Sequence, residues 1–217
     1  MNKLILSALA ALPLLTAPAL ARTPAAASTA KASFARLKLA DKPYQLQPQL
    51  STLGWEAKKI AGQHSGTLQF KSGTVLVRGS QLVGGTFVVD MNSLKVEDIK
   101  DAESNGKMMG HLRSDDFFSI ASNPTAAFAI TKVTAIKGDA AGNNATITGN
   151  LTIKGVTQPV SFPAKVGVKN GVAAASGTAT IDRTKFGIKY GSKSFFDSLG
   201  DNVINDEFAL SFNVIAK

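Results

Sequence analysis

The sequence predicts an all-β chain, an eight-stranded antiparallel up-and-down barrel with one or two short helices. Three observations carry that expectation. Apolar and polar residues alternate at period two over much of the chain from Tyr44 onward, as half-buried strands require. The alternating stretches are short and are separated by turns rich in Gly and Ser. About eight such stretches fit into roughly 170 residues, an ordinary spacing for an up-and-down barrel.

The chain begins with a segment outside the barrel. Lys3 gives a positive start, Leu4 to Leu15 is a short apolar run, and Ala19, Leu20 and Ala21 form a small-x-small cleavage site. Residues 1–21 therefore read as a cleaved secretory signal peptide. Export to a bacterial periplasm is the first expectation and secretion the second. Residues 22–42, rich in Ala, Ser, Thr and Lys, read as a flexible lead-in with a weak helix near Phe34 to Leu39. The barrel domain is expected over residues 43–217.

Leu53, Trp55 and Ala57 share the first apolar face. Leu68 and Phe70 continue the pattern, and Lys71, Ser72 and Gly73 read as a turn. Val75 and Val77 follow, then a turn at Arg78, Gly79 and Ser80, then Phe87, Val89 and Met91. The alternation fails from Met91 to Ile120. Glu97 to Glu103 reads as a solvated charged run. Met108, Met109 and Leu112 have helical spacing, and Ser114 before Asp115 and Asp116 reads as a helix N-cap. Two short helical turns are expected over Lys107 to Ile120, packing Met108, Leu112, Phe117 and Phe118 on the sheet. Strands resume with Phe128 and Ile130.

The most specific local reading is a hairpin. Ile147, Leu151 and Ile153 lie on one face of a strand, and Lys154 and Gly155 form a two-residue turn. If Ile153 faces Val156, then Leu151 faces Gln158, Gly149 faces Val160 and Ile147 faces Phe162. Apolar residues of both strands then share a side. Pro159 predicts a bulge or an edge, and lysine in the turn leaves the turn type open. Ala173, Ala175, Gly177, Ala179 and Ile181 form a face of small side chains, a thin wall that leaves volume for neighbouring side chains or for a ligand. Residues 182–206 carry loop chemistry. Phe208, Leu210, Phe212 and Val214 close the chain.

Composition narrows the chemistry. The chain has 217 residues, 44% of them hydrophobic, which suits one domain with a sizeable core. It has no Cys, which removes disulfides, thiol chemistry and a lipidated-Cys anchor. The net charge of +9 asks for an anionic partner or serves solubility. The basic residues are scattered without interleaved aromatics, so no nucleic acid is expected. With two histidines, His64 and His111, no metal-ligand spacing exists and no metal or cofactor is expected. Gly62 to Gly66 superficially resembles a nucleophile elbow, but its serine is one position late. No catalytic residue set emerges.

Gly110 to Phe118, followed by Asn123, Pro124, Thr125 and Ala126, resembles the mid-chain signature of the YceI-like, polyisoprenoid-binding family. Thr148 to Thr157 with Pro159 and Val160 is similar to that family's hairpin. Ile181 to Ile188 and the closing Asp206, Glu207 and Phe208 match as well. Trp55 and Gly62 to Gly66 depart from the commonest version. The resemblance implies a lipocalin-like barrel around a long apolar tunnel for an isoprenoid or other amphiphile. Together with the apolar faces it nominates Trp55, Phe70, Phe87, Met108, Leu112, Phe128, Phe162, Phe186 and Tyr190 as ligand-binding. Arg183, Lys189 and Lys193 are nominated for an anionic head, with an Arg183 ion pair to Asp182 or Asp206 as the structural alternative. The expected partner is an apolar or amphiphilic small molecule. A transient membrane-surface contact and a homodimer stay open. The alternatives are an enzyme using His64 or His111, and a filled barrel serving interactions.

Overall fold

The computed structural model describes residues 40–60 and 62–217. The expected signal peptide, most of the lead-in and the helix near Phe34 lie outside them. Nine strands follow in order: β1 (Lys42–Gln45), β2 (Thr52–Lys59), β3 (Gly62–Arg78), β4 (Gln81–Val96), β5 (Thr125–Ala135), β6 (Ala145–Ile153), β7 (Val156–Lys169), β8 (Val172–Asp182) and β9 (Ile204–Ala216). One helix, α1 (Ala102–Arg113), lies between β4 and β5.

The sheet is antiparallel throughout and closes on itself through the β3–β4 pairing. The nine strands form eight staves because β1 and β2 share one place between β3 and β9. Gln45 faces Thr74 of β3, and Leu46 bridges to Ala216 of β9. After a 3-10 turn at Pro48–Leu50, Leu53 faces Leu68 on one side and Phe212 on the other. Closure matters energetically, since an open edge would leave a row of backbone groups unpaired.

The hairpin register is the one the alternation predicts: Ile153 faces Val156, Leu151 faces Gln158, Gly149 faces Val160 and Ile147 faces Phe162. Lys154 (φ +52°) and Gly155 (φ +74°) both take positive φ, as a type I′ turn demands. The Lys154 ammonium donates to the Asp115 carbonyl at 2.6 Å, which gives a lysine a reason to occupy that position. Pro159 faces Asn150 without a register shift, so no bulge forms there. Alternation from the turn points its nitrogen toward β8. The β7–β8 pairing ends at Ala164 and Gly177, so Pro159 sits on a local edge where no donor is needed.

Three expectations are corrected. Lys71 to Gly73 is not a turn; β3 runs through it, with a register shift between Phe70 and Ser72. Strand β4 does not stop at Met91 but continues to Val96. Between Thr67↔Lys95 and Gln69↔Asp90 it carries extra residues, which breaks the period-two signal without ending the strand. The helix starts at Ala102, capped by Asp101, whose carboxylate accepts from the Ser104 N–H at 2.8 Å. Ser114 ends this helix as its C-cap instead of starting a second one.

Candidate functional site

Alternation puts one apolar side chain in two inside the barrel, from every stave. β2 contributes Leu53, Trp55 and Ala57; β4 contributes Phe87, Val89 and Met91; β9 contributes Phe208, Leu210, Phe212 and Val214. These side chains do not fill the interior. They surround a cavity of about 190 Å³. Its wall is apolar apart from Arg183 and Asn205, so water inside would find few hydrogen-bond partners.

Part of the volume comes from β8. Ala173, Ala175, Ala179 and Ile181 line the cavity, as the thin-wall pattern predicts. Gly177 is required by packing. A Cβ there would lie 2.9 Å from the Pro163 carbonyl oxygen and 3.0 Å from the Phe212 ring. Ring contacts run around the wall from β4 to β9: Phe87 and Phe128 centroids are 6.5 Å apart, Phe128 and Phe162 5.6 Å, and Phe162 and Phe212 5.4 Å.

Of the nominated residues, Trp55, Phe70, Phe87, Leu112, Phe128, Phe162 and Arg183 line this cavity. Five others do not, among them Lys189 and Lys193, which are exposed outside the cavity wall. Met108 is half-buried on α1 and packs against the core beside it. Phe186 is buried outside the cavity wall, in the 3-10 turn after β8. Tyr190 stands on the surface at 45% exposure, edge-on to the His111 ring at 4.5 Å. The nominations also passed over wall residues. Leu94 was hidden by the bulge in β4. Phe208, Leu210 and Phe212 carried a clear period-two signal that identifies them.

Leu112, Phe117, Phe118, Ile188 and Ile204 cover one end of the cavity. Arg183 holds that end together. Its Nε donates to Asn205 O (3.0 Å), Nη1 to Ile188 O (3.0 Å) and Tyr190 O (2.8 Å), and Nη2 to Ile204 O (3.0 Å), with Asp206 Oδ1 at 3.5 Å. All five guanidinium donors are thereby engaged. A bound head group would have to displace one of them. Burial pushes the Arg183 pKa down, against the opposing charges of Asp206 and Asp182. Burial would also raise the Asp206 pKa. Hydrogen bonds from Ser192 and Ser194 and the Arg183 charge outweigh it and hold the carboxyl below its usual range. Asp182 acts instead as a local cap, accepting from the Thr184 N–H and hydroxyl.

The histidines lie outside the cavity wall. His64 Nδ1 is 2.8 Å from Asp98 Oδ2, and the Ser65 N–H donates to Asp98 Oδ1 at 2.9 Å. Gly66 completes the arrangement: Lys95 passes so close that a Cβ would lie 1.8 Å from its carbonyl oxygen. Trp55 Nε1 donates to that same carbonyl at 3.0 Å. The segment from Gly62 to Gly66 thus clamps the chain between β4 and α1, and part of the charged run after Val96 is bound to β3. His111 Nε2 is 3.4 Å from Asp116 Oδ2. Among the described residues no group of three or more His, Cys, Asp or Glu could hold a metal ion. No helix among them is long and apolar enough to cross a membrane.

The family model described as the YceI-like domain matches residues 44–216. A UPF0312 protein of Pseudomonas paraeruginosa is 46% identical over 85 residues, 36% of this chain and 42% of that protein. Protein YceI of Salmonella arizonae is 45% identical over 56 residues, 26% of this chain and 27% of that protein. These alignments span under half the length of either relative. Two solved structures share the fold. BcnA of Burkholderia cenocepacia has a TM-score of 0.59 at 22% identity, covering 79% of this chain and 99% of that one. A polyisoprenoid binding domain from Saccharophagus degradans has a TM-score of 0.54 at 16% identity, covering 80% and 97%.

Proposed function

This chain belongs to the YceI-like family, and from that membership and its barrel interior we propose that it is a lipid-binding protein. It holds a polyisoprenoid or similar amphiphile by the apolar chain, for transport, storage or sequestration. The observation that carries this reading is the cavity, to which every stave contributes apolar side chains and which those side chains leave unfilled. Each isoprene unit moved there from water would contribute on the order of 3 kcal/mol before the cost of ordering the chain. The name of the Saccharophagus domain supports the ligand class. The signal-peptide pattern of residues 1–21 supports export, with the periplasm as first destination and secretion as second. A binding role is favoured over catalysis because the wall offers no carboxylate, histidine or hydroxyl for acid–base work.

Trp55 is the chain's single tryptophan and lies in the cavity wall, so its fluorescence reports on ligand entry. Titration with geranylgeraniol is expected to give a saturable change in emission. An unchanged spectrum, with no geranylgeraniol retained after gel filtration, contradicts the reading.

A further inference from the structure

Six large apolar side chains are exposed among the described residues, and three of them, Tyr190, Phe195 and Phe196, belong to one loop after β8. They are 45%, 47% and 50% exposed. A slack loop would fold such rings onto the nearest surface. This one is held at its base. Arg183 bonds the carbonyls of Ile188 and Tyr190. The Ile204 N–H donates to Gly191 O at 2.8 Å, and the N–H groups of Phe195 and Phe196 donate to Ser192 O. The Ser194 hydroxyl donates to Asp206. Ser192 is fully buried, so Phe195 and Phe196 stand on an anchored root, while Tyr190 packs edge-on to His111.

The charges around them fit an anionic surface. Lys185, Lys189 and Lys193 are exposed at intervals of four. The Lys189 ammonium lies 4.6 Å from the Phe195 ring centroid, so cation and ring share one patch. Asp197 and Asp201 follow the aromatic pair in the chain, and Lys185 lies 3.8 Å from Asp182, which leaves Lys189 and Lys193 as the cations beside the rings. Aromatic rings beside lysines are the composition that settles at a bilayer interface, rings among the headgroups and ammonium groups on lipid phosphates. The same loop is anchored on the cavity wall, since the Tyr190 carbonyl accepts from Arg183 and the Gly191 carbonyl from the Ile204 N–H, and Arg183 and Ile204 both line the cavity.

We propose that the loop from Lys189 to Leu199 docks this protein onto anionic lipid bilayers, with Phe195 and Phe196 entering the headgroup region beside Lys189 and Lys193. Its use in loading the cavity rests on the proposed lipid-binding function; the docking itself does not. The test is flotation of the folded protein with vesicles of phosphatidylcholine, with and without phosphatidylglycerol. Binding is expected only with phosphatidylglycerol, and it weakens as salt rises. The double substitution Phe195→Ser and Phe196→Ser should lower vesicle binding about tenfold or more. Lys189→Gln and Lys193→Gln should each lower it about fivefold. Near-UV circular dichroism checks that each variant stays folded. Both serines replace exposed side chains, so geranylgeraniol delivered without vesicles should still bind. Failure of that uptake in the wild type would remove the cavity reading and leave docking standing. Unchanged flotation of the double variant, or equal binding to phosphatidylcholine alone, overturns the proposal. So does a concentration-dependent dimer that the double substitution dissolves, because a second copy would then cover the patch.

Discussion

Arg183 replaces water at five donors with four backbone carbonyls and one carboxylate, all brought to it by the chain's own return path. Arg183→Ala would leave those carbonyls without their donor and the Asp206 charge without its partner. The expected loss is about 3 kcal/mol in urea unfolding. The loop from Lys189 to Leu199 should also become the first site of limited proteolysis; a variant with wild-type stability and cleavage pattern would refute that role. Asp206 and Asp98 both have pKa values held below the ordinary carboxylate range in the fold. For Asp98, burial works upward but is outweighed by hydrogen bonds from Ser65 and His64. A carboxyl depressed on folding stabilises fully above its unfolded pKa of about 3.9 and loses that contribution as pH falls through the lower folded value. Melting temperature should therefore fall as pH drops below about 4, and Asp206→Asn should flatten that fall. The sequence marks Arg183 and offers Asp182 or Asp206 as its partner; the structure takes Asp206 and leaves Asp182 to cap Thr184. The main acceptors of Arg183 were not legible, because backbone carbonyls carry no residue signature.

At the scale of the element, strands were readable wherever both faces kept their period. The β6–β7 register followed from apolar residues falling on one side of a two-residue turn. Bulges defeated the same logic. In β4 the residues around Leu94 shift the period, and in β3 the exposed Lys71 and Ser72 imitate a turn. Helix α1 begins five residues before the Lys107 that the helical spacing predicts, because Asp101, its cap, sits inside a charged run that reads as surface. Glycines separate close packing from mere punctuation. Gly66→Ala sets a Cβ against the Lys95 backbone and should cost about 2–3 kcal/mol, read from the urea midpoint. Gly167→Ala, with nothing within 4 Å, should stay within about 0.5 kcal/mol of wild type. Equal effects would mean that the approach of Lys95 to β3 does not constrain the barrel.

At the scale of the whole molecule, the sequence made the barrel legible through strand count and alternation, and it marked β8 as a wall of small residues. How much volume those residues leave depends on where large side chains opposite them point. Phe70, Phe87, Phe128, Phe162 and Phe212 contact one another in a chain along the wall, and a cavity remains beside them. Ala175→Phe should fill part of it. Geranylgeraniol affinity should drop about tenfold or more, while thermal stability holds or rises as cavity surface is lost. A loss of affinity accompanied by unfolding would place Ala175 in a packed core instead. The central claim is that the barrel encloses a lipid chain, and its most direct test is mass spectrometry of an organic extract from protein purified without detergent. An amphiphile with an apolar chain is expected in the extract. An extract without lipid, from a protein that also takes up no isoprenoid offered to it, would contradict the claim.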